Sequence, residues 1–330
     1  MRSTGVAFVG VNAVETAEFD LPKPGPGEVL LEAEYTAVSP GTELRCLRGQ
    51  QRGAPPFPFV AGYAFAGRVL EEGPGADVEV GRAVFTQGTE HTGELGKSWG
   101  GHVSHAVAAA SRLTPIPGGL DLLDASLIKI SAIAFHGVRL TRPVPGEQVA
   151  VVGLGPIGQL SARLHAAAGA RVVAADLLDN RVELARQAGI EAFQPGADLA
   201  ESFQEHLPGG ADIVSDATGA PGLFVESMKL AKDIPWDDSL TPGARVLAQG
   251  SYVNEFTASY TTGFTKELTI LFPRSCQQRD ERTVADLMRR GVLRVRDLIT
   301  DVRSPDDAAR TYEQLRDPAS GLMTVAFRWK

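Results

Sequence analysis

Val151-Val152-Gly153-Leu154-Gly155-Pro156-Ile157-Gly158 is the stretch from which the fold can be deduced. The run leading into it, Gln148-Val149-Ala150-Val151-Val152, has the small and β-branched residues of a buried strand, and Ile157 to Ala168 beyond it has helical spacing. In that context G-x-G-x-x-G is a dinucleotide loop. Gly153 permits the tight turn, Gly155 lets the backbone approach a pyrophosphate, and Gly158 lets helix and strand pack closely. The helix opening at Pro156 and Ile157 offers free N–H groups and a partial positive charge to the phosphates. A second strand, Arg171 to Ala175, leads to Asp176, 18 residues after Gly158. A carboxylate there accepts both ribose hydroxyls of NAD and repels a 2′-phosphate, so NAD is the expected cofactor. Arg181, five residues on, either stacks on adenine or answers a phosphate. Ligands bind at the carboxyl ends of parallel strands, so Thr218 and Gly250 border the ribose and nicotinamide unless they are ordinary turn residues.

Outward from this loop, strands and helices alternate. Asn180 to Ala188 reads as a helix, and Ala211 to Ser215 and Ala244 to Ala248 as strands, which implies a parallel sheet covered on both faces. Leu122 to Leu140 carries apolar residues at helical spacing. Upstream the pattern is different. Val29 to Val38 is strand-like after the turn-forming Pro22-Lys23-Pro24-Gly25-Pro26-Gly27, and Gly and Pro recur through residue 119, as in a barrel or sandwich. The last 60 residues hold a strand at Leu268 to Phe272, helices at Glu281 to Arg290 and Pro305 to Arg316, and a final strand at Thr324 to Trp329. The domains expected are 1–122, 123–270 and a return segment, 271–330, that completes the first.

Composition narrows the function. With 330 residues, 43% apolar and 22% charged, the chain is long enough for two domains and too apolar for a disordered protein. Lys plus Arg is 32 and Asp plus Glu is 40, a net charge of −8 with no dense basic block, which argues against nucleic acid and anionic membrane as partners. No apolar run reaches the roughly 20 residues of a membrane span, and the start reads as a strand, not a signal peptide. Two cysteines, Cys46 and Cys276, cannot make a disulfide framework or a four-thiolate zinc site, and their scarcity suits the cytoplasm.

Four segments together resemble the medium-chain dehydrogenase/reductase family. Pro24 to Leu30 resembles its opening turn and strand, Ala61 to Gly67 its G-H-E-x-x-G segment, Gly100-Gly101-His102-Val103-Ser104 its G-G-Y-A-E turn, and Gly153 to Gly158 its nucleotide loop. Ser39-Pro40-Gly41-Thr42-Glu43 with Gly62-Tyr63 is similar to the bacteriochlorophyllide dehydrogenase-like subgroup, although Ala64 departs from its G-Y-E. The resemblance implies an α/β protein made of a GroES-like β-barrel catalytic domain plus a doubly wound parallel Rossmann domain, with the substrate cleft between them and a homo-oligomer, a dimer, as the assembly.

Zinc members of that family need thiolate, imidazole or carboxylate ligands. Here Ser39-Pro40 replaces the cysteine, Tyr63 and Ala64 replace the histidine and carboxylate, and Lys129 aligns with the later ligand. The segment Thr86 to Arg112, where a structural zinc lobe would fall, has no cysteine. The resemblance therefore implies a member with no metal site.

Without zinc another group must polarise the oxygen. Lys129 could place an ammonium at the vacant position, and a buried ammonium titrates lower than an exposed one; otherwise it is a solvated lysine on the linking helix. Tyr63 donates through its hydroxyl or simply lines the cleft. Thr42 matches the hydroxyl relay position of zinc members, and Glu43 the neighbouring acid, which alternatively pairs with Arg45, Arg48 or Lys129. His136 reads as a packing histidine, and His102 and His105, three apart on an extended segment, fall on opposite faces. The insert Lys232 to Asp238 is a cleft rim or a subunit contact. The leading expectation is an NAD(H)-dependent alcohol/ketone oxidoreductase acting on a small-molecule sugar, cyclitol or natural-product intermediate. The alternatives are an NADPH-dependent enoyl or quinone reductase and a non-catalytic nucleotide-binding relative.

Overall fold

The computed structural model of the chain describes residues 1–237, 241–252, 255 and 257–330. They form two compact units, 1–130 with 278–330 and 131–277, against divisions after 122 and 270 from the sequence pattern. In the structure the first division falls within the helix Ile128–Thr141, and the second coincides with the start of Gln278–Arg289.

The second unit is a six-stranded sheet in the order Glu191–Phe193, Arg171–Ala175, Gln148–Val152, Ile213–Asp216, Arg245–Ala248, Thr269–Leu271, and every neighbouring pair is parallel. In chain order this is 3-2-1-4-5-6, the doubly wound dinucleotide order. Successive residues of one strand serve opposite cores. Val149 and Val151 pack with Leu154, Ala162 and Val182, while Ala150 and Val152 pack with Phe203, Phe224 and Val246. That is why the strand reads as a continuous apolar run.

The first unit holds two sheets. One orders Ala13–Asp20, Arg2–Gly10, Phe59–Val60 and Gly96–Lys97. The other, seven-stranded, runs from Ile299–Arg303 through Thr324–Arg328, Glu28–Ala37, Phe65–Glu72 and Ala83–Thr86 to Thr114–Pro115, with His105–Ala109 also paired to Glu28–Ala37. The return segment is thus built into the sheet of the N-terminal third: Thr324–Arg328 pairs antiparallel with Glu28–Ala37.

Two elements differ from expectation. Leu122 to Leu140 is not one helix but Leu122–Ala125 and Ile128–Thr141. The Ser126 hydroxyl donates to the Leu123 carbonyl at 2.6 Å, a local bond that competes with the helical ladder. Pro305 to Arg316 begins as a 3₁₀ turn, Pro305–Asp307, before the helix Ala308–Leu315, with Ser304 capping the turn. Among the described residues no helix is long and apolar enough to cross a membrane.

The second unit also buries an ionisable group away from the nucleotide loop. His165 is fully buried; its Nδ1–H donates to the Ser161 carbonyl at 2.9 Å, and Thr141 Oγ1 lies 3.3 Å from Nε2. Burial lowers its pKa from 6.5 to about 4. The unfolded chain therefore binds a proton that the folded chain refuses as pH falls from 6.5 to about 4. The associated stability is fully present above pH 6.5 and is lost across that window, by up to about 3 kcal/mol. Urea unfolding at pH 7, 6, 5 and 4.5 is expected to show this decline, and His165→Gln to flatten it.

Candidate active site

The glycine loop is organised as its sequence requires. Gly153 has φ +87°, and a Cβ there would lie 2.9 Å from Thr218 Cγ2. A Cβ on Gly158 would sit 1.8 Å from the Gly153 carbonyl oxygen. At Gly155 the same atom meets only Arg181 Nη1, at 4.0 Å, so the loop opens onto free space at that point. Gly155 is the N-cap of Pro156–Ala167 and supplies no side chain to the helix end. The first-turn N–H groups of Ile157 and Gly158 thus face an open cradle, which fits the pyrophosphate of a dinucleotide.

Asp176 is 8% exposed and has a second task. Its Oδ2 accepts the Leu154 N–H at 2.7 Å and Arg181 Nη1 at 3.4 Å, and its Oδ1 accepts the Leu178 N–H at 2.9 Å. One carboxylate thereby ties the end of the second strand to the glycine loop and holds Arg181 beside it. Asp216, at the end of the fourth strand, does the same for the next turn. It accepts the Thr218 N–H at 2.8 Å and hydroxyl at 2.6 Å, and burial raises its pKa. Gly250 N–H donates to the Asp216 carbonyl at 2.7 Å, and a Cβ on Gly250 would come within 2.3 Å of Gly219 N. Thr218 and Gly250 are therefore packed into these strand ends.

The first unit brings three hydroxyls together. Ser39 caps the helix Pro40–Leu47, which places Thr42 and Glu43 in or next to its first turn. The Tyr63 hydroxyl donates to Ser39 Oγ and lies beside the Thr42 hydroxyl. Burial pushes the Tyr63 phenol up to about 12. Trp99 meets its ring edge-on, with centroids 5.1 Å apart. Arg45 Nη2 reaches Thr42 Oγ1 at 3.5 Å, and its Nε donates to Gln51 Oε1 at 3.1 Å.

Glu43, 1% exposed, pairs with none of the cations considered for it. Its Oε1 accepts the Ser39 N–H at 2.7 Å; its Oε2 takes His102 Nε2 at 2.9 Å and the Tyr312 hydroxyl. Lys129 is not solvated: it is 5% exposed, and its Nζ lies 3.3 Å from Glu281 Oε1, while Thr114 donates to Glu281 Oε2 at 2.8 Å. His102 and Tyr312 are the residues that sequence reasoning missed. His102 carried a signal, because Gly62 (φ +86°) leaves its ring room that a Cβ, at 2.4 Å, would fill. Tyr312 carried none; its partner is 269 positions away.

The other candidates are placed plainly. His105 is half-buried near Glu32, whereas His102 points inward. His136 is buried and accepts from Arg139 at 3.0 Å. Cys46 is buried against Ser98, with its thiol pushed up to about 11 by burial. In the insert, Lys232 pairs with Asp212 and Asp233 with Lys266; Asp238 lies outside the described residues. Among the described residues no group of three or more His, Cys, Asp or Glu side chains is placed to hold a metal ion.

Comparison with known proteins defines the class. Residues 25–118 match the alcohol dehydrogenase GroES-like domain and residues 156–290 the zinc-binding dehydrogenase domain. The chain belongs to the medium-chain dehydrogenase/reductase superfamily of zinc-type alcohol dehydrogenase-like oxidoreductases, a family that works with nicotinamide dinucleotides. It is 28% identical over 325 residues, 94% of each chain, to the 2-desacetyl-2-hydroxyethyl bacteriochlorophyllide A dehydrogenase of Cereibacter sphaeroides. It is 24% identical over 344 residues, 96% of each chain, to the 2-dehydro-3-deoxy-L-galactonate 5-dehydrogenase of Pseudoalteromonas atlantica. In fold it matches a protein described as a short chain alcohol dehydrogenase of Escherichia coli CFT073, complexed with NADH (TM-score 0.85, 22% identity), and a zinc-binding dehydrogenase of Sinorhizobium meliloti 1021 bound to NADP (TM-score 0.84, 23% identity), each over 99% of both chains.

The Lys129–Glu281 pair gives a measurable expectation. Removing one partner of a buried ion pair leaves the other charge uncompensated, so Lys129→Met is expected to cost about 3–5 kcal/mol in urea unfolding. Adding Glu281→Gln, which keeps an acceptor for Thr114 without the charge, is expected to restore most of it.

Proposed function

We propose that the chain is an NAD(H)-dependent oxidoreductase that interconverts a secondary alcohol and a ketone without zinc, on a sugar, cyclitol or natural-product substrate. The observation that carries this reading is the Ser39–Thr42–Tyr63 hydroxyl cluster, in which Ser39 and Tyr63 stand at the positions that the sequence resemblance matches to the cysteine and histidine ligands of zinc members. Hydroxyl, phenol and ammonium are not the donors zinc selects. Glu43 is already committed to three donors, and Lys129 is matched by Glu281.

A bound nicotinamide supplies or accepts the hydride. The cluster handles the proton. Ser39 Oγ receives the Tyr63 O–H, which leaves the Ser39 proton free to be given to an oxygen that gains negative charge. Tyr63 then replaces it; its pKa of about 12 keeps the phenol protonated near neutral pH. Thr42 and Arg45 border the same phenol, and the positive charge eases formation of its anion. Lys129 takes a different part in this reading, as the counter-ion of Glu281.

Asp176 supports NAD over NADP, since its carboxylate keeps acceptor capacity for the ribose hydroxyls and its charge disfavours a 2′-phosphate. The relatives support the substrate class: one is named for a bacteriochlorophyllide and the other for a deoxy-galactonate.

Tyr63→Phe is expected to lower kcat/KM for a secondary alcohol by about 10²–10⁴-fold while NADH binding, followed by fluorescence, is unchanged. Unchanged turnover in that variant removes Tyr63 from the chemistry. Elemental analysis of the active protein is expected to find less than stoichiometric zinc; activity that tracks one bound zinc per chain overturns the metal-free reading. Tighter binding of NADPH than of NADH overturns the role given to Asp176.

A further inference from the structure

Behind the hydroxyl cluster lies a hydrogen-bonded chain, whose directions are those of the His102 tautomer that carries its proton on Nε2. The indole N–H of Trp329 can only donate, and it donates to Thr36 Oγ1 at 3.0 Å. The Thr36 O–H is then free to donate to His102 Nδ1, 2.8 Å away. His102 Nε2–H donates to Glu43 Oε2, as does the Tyr312 hydroxyl, and Glu43 Oε1 accepts the Ser39 N–H. Thr36, His102 and Tyr312 are fully buried and Glu43 nearly so. The five side chains come from Glu28–Ala37, Pro40–Leu47, the Gly101 turn, Ala308–Leu315 and the final strand's end.

We propose that Glu43, His102 and Tyr312, backed by Thr36 and Trp329, form a buried positioning network that fixes the Ser39 backbone so that Ser39 Oγ is held as the acceptor of Tyr63. The proposal rests on the preceding reading of Ser39 and Tyr63 as the proton-handling pair. None of the network residues needs to touch substrate. A carboxylate out of water is held in place by its donors, and here one of those donors is the amide of the residue to be positioned. A fixed support of this kind is what keeps a reacting group within the fraction of an ångström that turnover demands.

The test uses the full chain labelled with ¹³Cζ-tyrosine, with the Tyr63 resonance assigned through Tyr63→Phe. Tyr312→Phe keeps the ring that packs edge-on against Phe8, at 5.0 Å, and deletes only the donor. In it the Tyr63 resonance is expected to shift and its hydroxyl proton to exchange faster. Glu43→Gln is expected, in addition, to move Tyr63 ionisation down from about 12, because the anion that opposes the phenolate is gone; Arg45 is the other charged group facing it. In both variants kcat for a secondary alcohol is expected to fall about tenfold to a hundredfold with KM for NAD⁺ unchanged. An unchanged Tyr63 resonance and exchange rate in folded Tyr312→Phe overturns the network. Should that variant not fold, Trp329→Phe at the half-buried end of the chain is expected to give a smaller shift of the same resonance, and no shift overturns the proposal. The two readings fail separately. Full turnover in Tyr63→Phe removes the proton-handling pair, whereas an unmoved Tyr63 signal removes only its support.

Discussion

A carboxylate with 1% exposure imposes terms on everything around it. Glu43 carries a charge into the interior of the first unit, where desolvation costs several kcal/mol unless hydrogen bonds replace the lost water. The replacements come from three places: a backbone amide four residues away, an imidazole from a glycine turn and a phenol from the return segment. Each donor commits a stretch of chain. His102 lies over Gly62, which therefore has no room for a side chain, and the Gly101 N–H closes onto the Gly62 carbonyl at 2.8 Å. Gly62 is a consequence of where the imidazole has to sit, while Gly101 is kept bare by the Gln87 carbonyl and the Tyr63 amide.

The nucleotide unit meets the same problem differently. Of its strand-end carboxylates, Asp176 is satisfied mainly by amides of the turn it organises, and Asp216 by the Thr218 amide together with the hydroxyls of Thr218, Ser227 and Tyr252. They act as knots at the carboxyl edge of the sheet, where a doubly wound fold receives its ligand. Gly158 against the Gly153 carbonyl, and Gly250 against Gly219, fix how closely those turns approach the strands. The cradle at Gly155 is what remains open after that packing.

Local pattern made the nucleotide unit legible. Apart from the pairing of Gln148–Val152 with Ile213–Asp216, its strands pair with the next strand in the chain, so apolar runs and the glycine loop are enough to place Gln148–Val152, Arg171–Ala175 and Asp176. The first unit was legible only in outline. Its turn-rich strands announced a β architecture, but their pairing crosses nearly the whole chain, as when Ala326 meets Ala37. The candidate site divides along the same line. Thr42, Glu43 and Tyr63 stand near motif positions, which is why the sequence singles them out. Tyr312 and the Glu281 partner of Lys129 come from the return segment, where a tyrosine or a glutamate on an amphipathic helix looks like any other. Periodicity reports which face is inward, not which charge waits there.

The return segment also sets an order of assembly. During synthesis the strand Glu28–Ala37 and the carboxylate of Glu43 emerge before the nucleotide unit, while Tyr312 and Thr324–Arg328 emerge only after it. Until then the first unit has an open sheet edge and a buried anion short of one donor, conditions that favour mispairing over closure. The nucleotide unit, continuous from 131 to 277, has no such dependence and can be complete beforehand. A growing chain would thus hold a finished nucleotide fold while the carboxylate of Glu43 still waited for the segment that supplies its last donor.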